Sequence, residues 1–68
     1  MTKIQLIEIE SVRLWRWGFG MRRVTTKLML KYGLDASEAK ALATFGRDVT
    51  RGKLIPSWKK ENGQNHQN

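Results

Sequence analysis

Apolar residues recur at helical spacing from Ile4 to Val49, with breaks at Gly18-Phe19-Gly20 and at Gly33. The first run, KIQLIEIESVRLWRW over residues 3–17, puts Ile4, Ile7, Ser11, Leu14 and Trp15 on one helical face, and this stripe is the expected core contact. Leu6, Ile9, Val12 and Trp17 fall off it. The alternation of Ile4-Gln5-Leu6 and Ile7-Glu8-Ile9 also fits a strand, but its phase breaks at Ile7, so a helix is expected. Apolar coverage this wide predicts a helix packed on two sides, against its own domain and against a second copy. Ser11 lies within the stripe, where a small residue permits close packing.

The Gly18-Phe19-Gly20 break predicts a loop, with Phe19 folding back onto the core. No strand precedes it and no further glycine follows at the right spacing, so it is not a dinucleotide fingerprint. A second helix is expected from Met21 to Tyr32, with Met21, Val24, Leu28 and Tyr32 at helical spacing and Met29 beside them. Gly33 can adopt the positive φ that ends this helix. Leu34 follows as an apolar plug, and Asp35 opens the next helix as N-cap with Glu38 completing a capping box. Ala39, Leu42 and Ala43 form the inner face of that third helix, and Phe45 lies near its edge. Residues 47–51 are expected to extend it by a turn before Gly52 caps it. Pro56 rules out regular helix through residues 53–58. There Leu54, Ile55 and Trp58 form an apolar strap over the core or over a dimer partner. The pattern therefore predicts an all-α, small three- to four-helix domain over residues 1–58, with a disordered polar tail, KKENGQNHQN, over 59–68.

Residues 25–46, TTKLMLKYGLDASEAKALATFG, resemble the helix-turn-helix of bacterial and phage transcription regulators. The resemblance rests on apolar Leu28, the turn residues Gly33 and Leu34, small Ala39 and apolar Leu42. Met29 departs from the family pattern, which has a small residue there, and Ala39, where the family has a branched aliphatic, would yield the volume. The resemblance implies duplex DNA as partner, with the second hairpin helix in the major groove. The base contacts would then come from its N-terminal outer face: Ala36, Ser37, Lys40, Ala41 and Thr44. Lys40 would donate to guanine, Ser37 and Thr44 to either base type, and Ala41 would touch a thymine methyl. Arg22, Arg23, Thr25, Thr26 and Lys27 on the preceding helix would meet phosphates, as would Arg47, Arg51 and Lys53 after the recognition face.

Composition sharpens this picture. The chain has 68 residues and a net charge of +7, and its only acidic residues within 11–60 are Asp35, Glu38 and Asp48. That balance favours a polyanionic partner. A chain this short buries only about 60% of its unfolded surface, and it has no cysteine to staple it. A homodimer is therefore expected, with Leu6, Ile9, Trp17, Leu54, Ile55 and Trp58 as the apolar surplus that would form the interface. The single histidine, His66, has no second ligand for a metal, and no cofactor is implied. Glu8 and Glu10 lie about 200° apart on a helix, and no acid pairs with a nucleophile, so catalysis is not expected. No run approaches the length of a membrane span and no signal pattern opens the chain, which makes a cytoplasmic location the simplest expectation. Two rival readings share these features. One is a protein-interaction factor that binds RNA polymerase or another enzyme. The other is a basic RNA-binding protein, for which Trp15-Arg16-Trp17 with Arg13 would supply stacking and phosphate contacts.

Overall fold

The computed structural model describes residues 1–58; the expectations for the tail and for His66 lie outside them. Among the described residues three helices follow one another, α1 (Lys3–Arg16), α2 (Met21–Tyr32) and α3 (Ala36–Thr50); Ser57 and Trp58, after Pro56, are also helical, and there is no strand. The domain is thus all-α, and α3 packs against both α1 and α2, which meet each other along a narrower seam.

Local sequence explains where each helix begins and ends. Thr2 caps α1 by accepting from the Gln5 amide, and the Gln5 side chain accepts from the Thr2 amide. Asp35 and Glu38 form the equivalent box at the start of α3, as expected from their spacing. Between these two helices, α2 ends at Gly33, whose φ of 66° suits a residue without Cβ. The amides of Gly33 and Leu34 both donate to the Met29 carbonyl, which turns the chain within three residues. Leu34 then packs against the core as the plug of the hairpin. At the far end, α3 continues through Gly46 to Thr50, and the amides of Gly52 and Lys53 close it on Val49 and Asp48.

The core is small and is built from all three helices. Ile7 of α1, Val24 and Leu28 of α2, and Ala39 and Ala43 of α3 are fully buried. Leu14, Trp15, Phe19, Met21, Met29, Tyr32 and Leu42 surround them, half-buried. The expected stripe on α1 is corrected at two positions. Ile4, in the first turn of α1, is 53% exposed, whereas Val12, off the stripe, is only 5% exposed. Val12 is covered because the chain after α3 returns along that side: Val49 and Trp58 line one hollow with Ile9 and Val12. Pro56 is buried in that return, and the Trp58 indole donates to Glu8 Oε1 at 3.1 Å.

Helices α1 and α3 approach closely at Ser11 and Gly46. A Cβ added at Gly46 would sit 2.8 Å from the Ser11 Cβ and 2.9 Å from the Ser11 carbonyl carbon. The missing side chain lets the Ser11 hydroxyl donate to the Leu42 carbonyl at 2.9 Å, and the Trp15 indole donates to the Ala43 carbonyl at 2.8 Å. Trp15 is therefore part of the scaffold, and Trp17 is left as the open aromatic of the pair.

Alanine is about 1 kcal/mol better than glycine in a helix interior, yet Gly46→Ala should destabilise the domain by about 1–3 kcal/mol through overpacking. Urea denaturation would measure this, and an equal or higher midpoint would mean that α1 and α3 can separate freely. Leu28→Ala, at a fully buried position, should cost about 2–5 kcal/mol. Leu42→Ala should cost less in the same measurement, because Leu42 keeps partial contact with solvent.

Candidate nucleic-acid interface

The outward face of α3 is fixed by what the helix buries. Ala39, Ala43, Gly46 and Val49 point inward. The exposed positions in the first two turns are Ala36, Ser37, Glu38, Lys40 and Ala41, and Glu38 is turned back onto the Asp35 amide as part of the capping box. Thr44 is half-buried, so it reaches less far from the surface than Ala36, Ser37, Lys40 and Ala41. The face begins at the capped N-terminus of α3, directly after the Gly33-Leu34-Asp35 turn.

The surrounding cations divide into two groups. Arg22, Arg23 and Lys27 are exposed on α2, while Arg51 and Lys53 are exposed beyond the end of α3. Two ion pairs occur among the described residues: Lys31 with Glu10 and Arg47 with Asp48, each at 3.4 Å. Arg47 is half-buried and turned toward its neighbour, so it is a weaker candidate for phosphate than its sequence position suggested. Gly20 gives α2 no side-chain cap, and the first amides of that helix are left to solvent or to an anion beside Arg22 and Arg23.

The expectation for Thr25 and Thr26 needs correction. Both hydroxyls donate to carbonyls one turn back in α2, Thr25 to Met21 at 2.8 Å and Thr26 to Arg22 at 3.0 Å. Phosphate oxygens only accept, so neither threonine can donate to one without giving up its helix bond. Thr25 is also half-buried.

Charge is distributed in a way that motif reading missed. Within α3, Lys40 and Arg47 are balanced by Glu38 and Asp48, whereas α2 carries Arg22, Arg23, Lys27 and Lys31 with no acid. The formal charge of α2 is thus +4, and the turn joins it to α3, whose formal charge is zero. The signal was present in the sequence as a count of charges per helix.

The six residues expected at a dimer interface are split by the fold. Leu6, Leu54 and Ile55 are exposed large hydrophobics, as is Ile4. Ile9 and Trp58 are half-buried within their own chain, at the hollow beside Val12. Trp17 is 81% exposed at the opposite side of α1, where it shares a hollow with Arg13, Phe19 and Lys27.

Among the described residues no helix is long and apolar enough to cross a membrane, and no cluster of three or more acids or histidines could hold a metal. Comparison with protein-family models, with curated proteins and with solved structures gives no significant match to this chain.

Proposed function

We propose that the chain binds duplex DNA through the α2–turn–α3 hairpin and regulates transcription as a homodimer. The observation that carries this reading is the exposed first half of α3, with Ala36, Ser37, Lys40 and Ala41 all facing solvent, held by a short turn beside a helix that bears only positive charge. In the major groove, Lys40 donates to guanine O6 and N7, Ser37 bonds a base edge, and Ala41 meets a thymine methyl. Thr44 acts at the edge of that contact. Arg22 and Arg23 at the start of α2, and Arg51 and Lys53 beyond α3, hold the phosphates on either side. Leu6, Leu54 and Ile55 supply apolar surface for the second copy, which would place two α3 helices roughly one DNA turn, ~34 Å, apart.

Titration of duplex DNA at several salt concentrations gives the first test. The association constant should fall steeply with salt, with a log–log slope of about −0.9 per phosphate neutralised. Equal affinity at low and physiological salt would rule out phosphate contact as the source of binding.

Substitutions separate readout from grip. Lys40→Ala should leave folding intact, cost ~1–3 kcal/mol on the preferred site and relax its sequence preference. Arg51→Ala and Lys53→Ala should instead weaken binding to every duplex alike. If a folded Lys40→Ala protein keeps both affinity and preference, α3 is not the reading helix. Sedimentation that shows a monomer at high concentration, free and on DNA, would remove the homodimer.

A further inference from the structure

Readout by α3 leaves one part of the surface without a role. Leu30 is 82% exposed in the last turn of α2, and Trp17, at the end of α1, is 81% exposed. Phe19 lies half-buried in the loop between those helices, with the Lys27 ammonium 4.8 Å from its ring centroid. Three shallow hollows cross this region, and Lys27 lines all of them. One runs past Trp17 and Phe19, and the other two flank Leu30. Together they form a strip over the α1–α2 seam with Trp17, Phe19 and Leu30 along it, Arg23 and Lys27 beside it, and at its α1 side Glu10, which lines two of the hollows and pairs with Lys31 at 3.4 Å.

We infer that this strip is a docking surface for an acidic amphipathic helix of a second protein. Charge decides first. A second copy of the chain would set Arg23 and Lys27 against their like, and like charges in an interface oppose association. The occupant is therefore anionic. The shape of the apolar part then separates a protein from a nucleic acid. Single strands are held by bases stacked on open aromatic faces, and here Trp17 alone offers one, because Lys27 already lies over Phe19. Leu30 has no π-face, and the sugar–phosphate backbone gains little from an aliphatic side chain. A lipid surface fits no better. The continuous apolar face of α2, with Val24 and Leu28, is buried in the core, so the helix has no broad apolar side left to insert.

An incoming helix satisfies both demands. Apolar side chains at i, i+4 and i+7 form a row that can lie along Trp17 and Leu30. Asp and Glu on the α2 side of that row then meet Arg23 and Lys27, while Lys31 stays paired with Glu10, giving an apolar centre with a charged rim. This inference does not rest on duplex binding, since Trp17 and Leu30 take no part in it.

The test uses a fluorescent synthetic peptide of about five helical turns, with leucine at i, i+4 and i+7 and glutamate on both flanks. A control peptide of equal charge has serine for each leucine. Anisotropy titrations use the full chain, its Leu30→Ser and Trp17→Ser variants, a duplex and oligothymidylate, with circular dichroism to verify folding. The leucine peptide should bind, and the control peptide or either variant should lower its affinity by about tenfold or more. Leu30→Ser should leave duplex binding unchanged, which keeps this test distinct from that of the DNA reading. The inference is overturned if the leucine peptide does not bind, or if both peptides bind equally, which would reduce the strip to general electrostatics. It is also overturned if Trp17→Ser weakens oligothymidylate and leaves the peptide unaffected, which would make the strip a single-strand site.

Discussion

The contact that the rest of the fold depends on is the approach of Ser11 to Gly46. Two helices normally stand 8–10 Å apart, held off by the side chains between them, and here one partner has no side chain and the other has a small one. The Ser11 hydroxyl and the Trp15 indole thereby reach backbone carbonyls in the middle of α3. Each bond contributes only about 1 kcal/mol net, but a buried hydroxyl left unpaired would cost about 1–3 kcal/mol. The pair of bonds therefore acts mainly by penalising other rotations of α1. Once that rotation is set, Ile7 enters the core and Trp17 is sent to the surface. Gly46 facing inward also sets which side of α3 faces out, so the candidate reading face depends on a residue that would never touch DNA.

What could be read from the sequence was local. The Asp35–Glu38 box, the Gly33 turn and the Val24–Leu28 stripe are each decided within a few residues, and the fold realises all three. The burial of Val12, Pro56 and Gly46 depends on segments more than thirty residues away from their partners, or on a chain reversal, and periodicity carries no record of either. Ile4 shows the converse: it has the right phase for the core but lies in the first turn of α1, where phase does not guarantee cover. The candidate site was legible to the same extent. Exposure of Ser37, Lys40 and Ala41 followed from helical phase, while the self-satisfied hydroxyls of Thr25 and Thr26 and the pairing of Arg47 with Asp48 required coordinates.

The distribution of charge bears on how such a small domain would find and read a duplex. Helix α3, whose outer face is proposed to read bases, contributes little net charge, because its two cations are matched by two acids. Attraction over distance would come from α2 and from Arg51 and Lys53 beyond the end of α3, all carrying positive charge off the reading face. That separation has a physical use. Charges that meet phosphate favour every sequence equally, so placing them off the reading helix leaves Ser37, Lys40 and Ala41 free to distinguish sequences.

The same economy sets a limit on α2. Its inner side supplies core, its N-terminal end supplies cations for the proposed duplex contact, and its outer side exposes Leu30. These roles compete only where they share a residue: Arg23 serves the proposed duplex contact and also borders the strip, and Lys27 is the next cation along the helix. Its ammonium lies over the Phe19 ring, a contact worth roughly 0.5–1 kcal/mol at an exposed site. Turning toward phosphate would forfeit that contact, whereas Arg22 and Arg23, one turn nearer the start of α2, make no such contact to lose among the described residues. With Lys27 held toward Phe19 and Lys31 toward Glu10, the later turns of α2 belong to the seam with α1, and in the proposed reading the duplex would be held from α2 by Arg22 and Arg23.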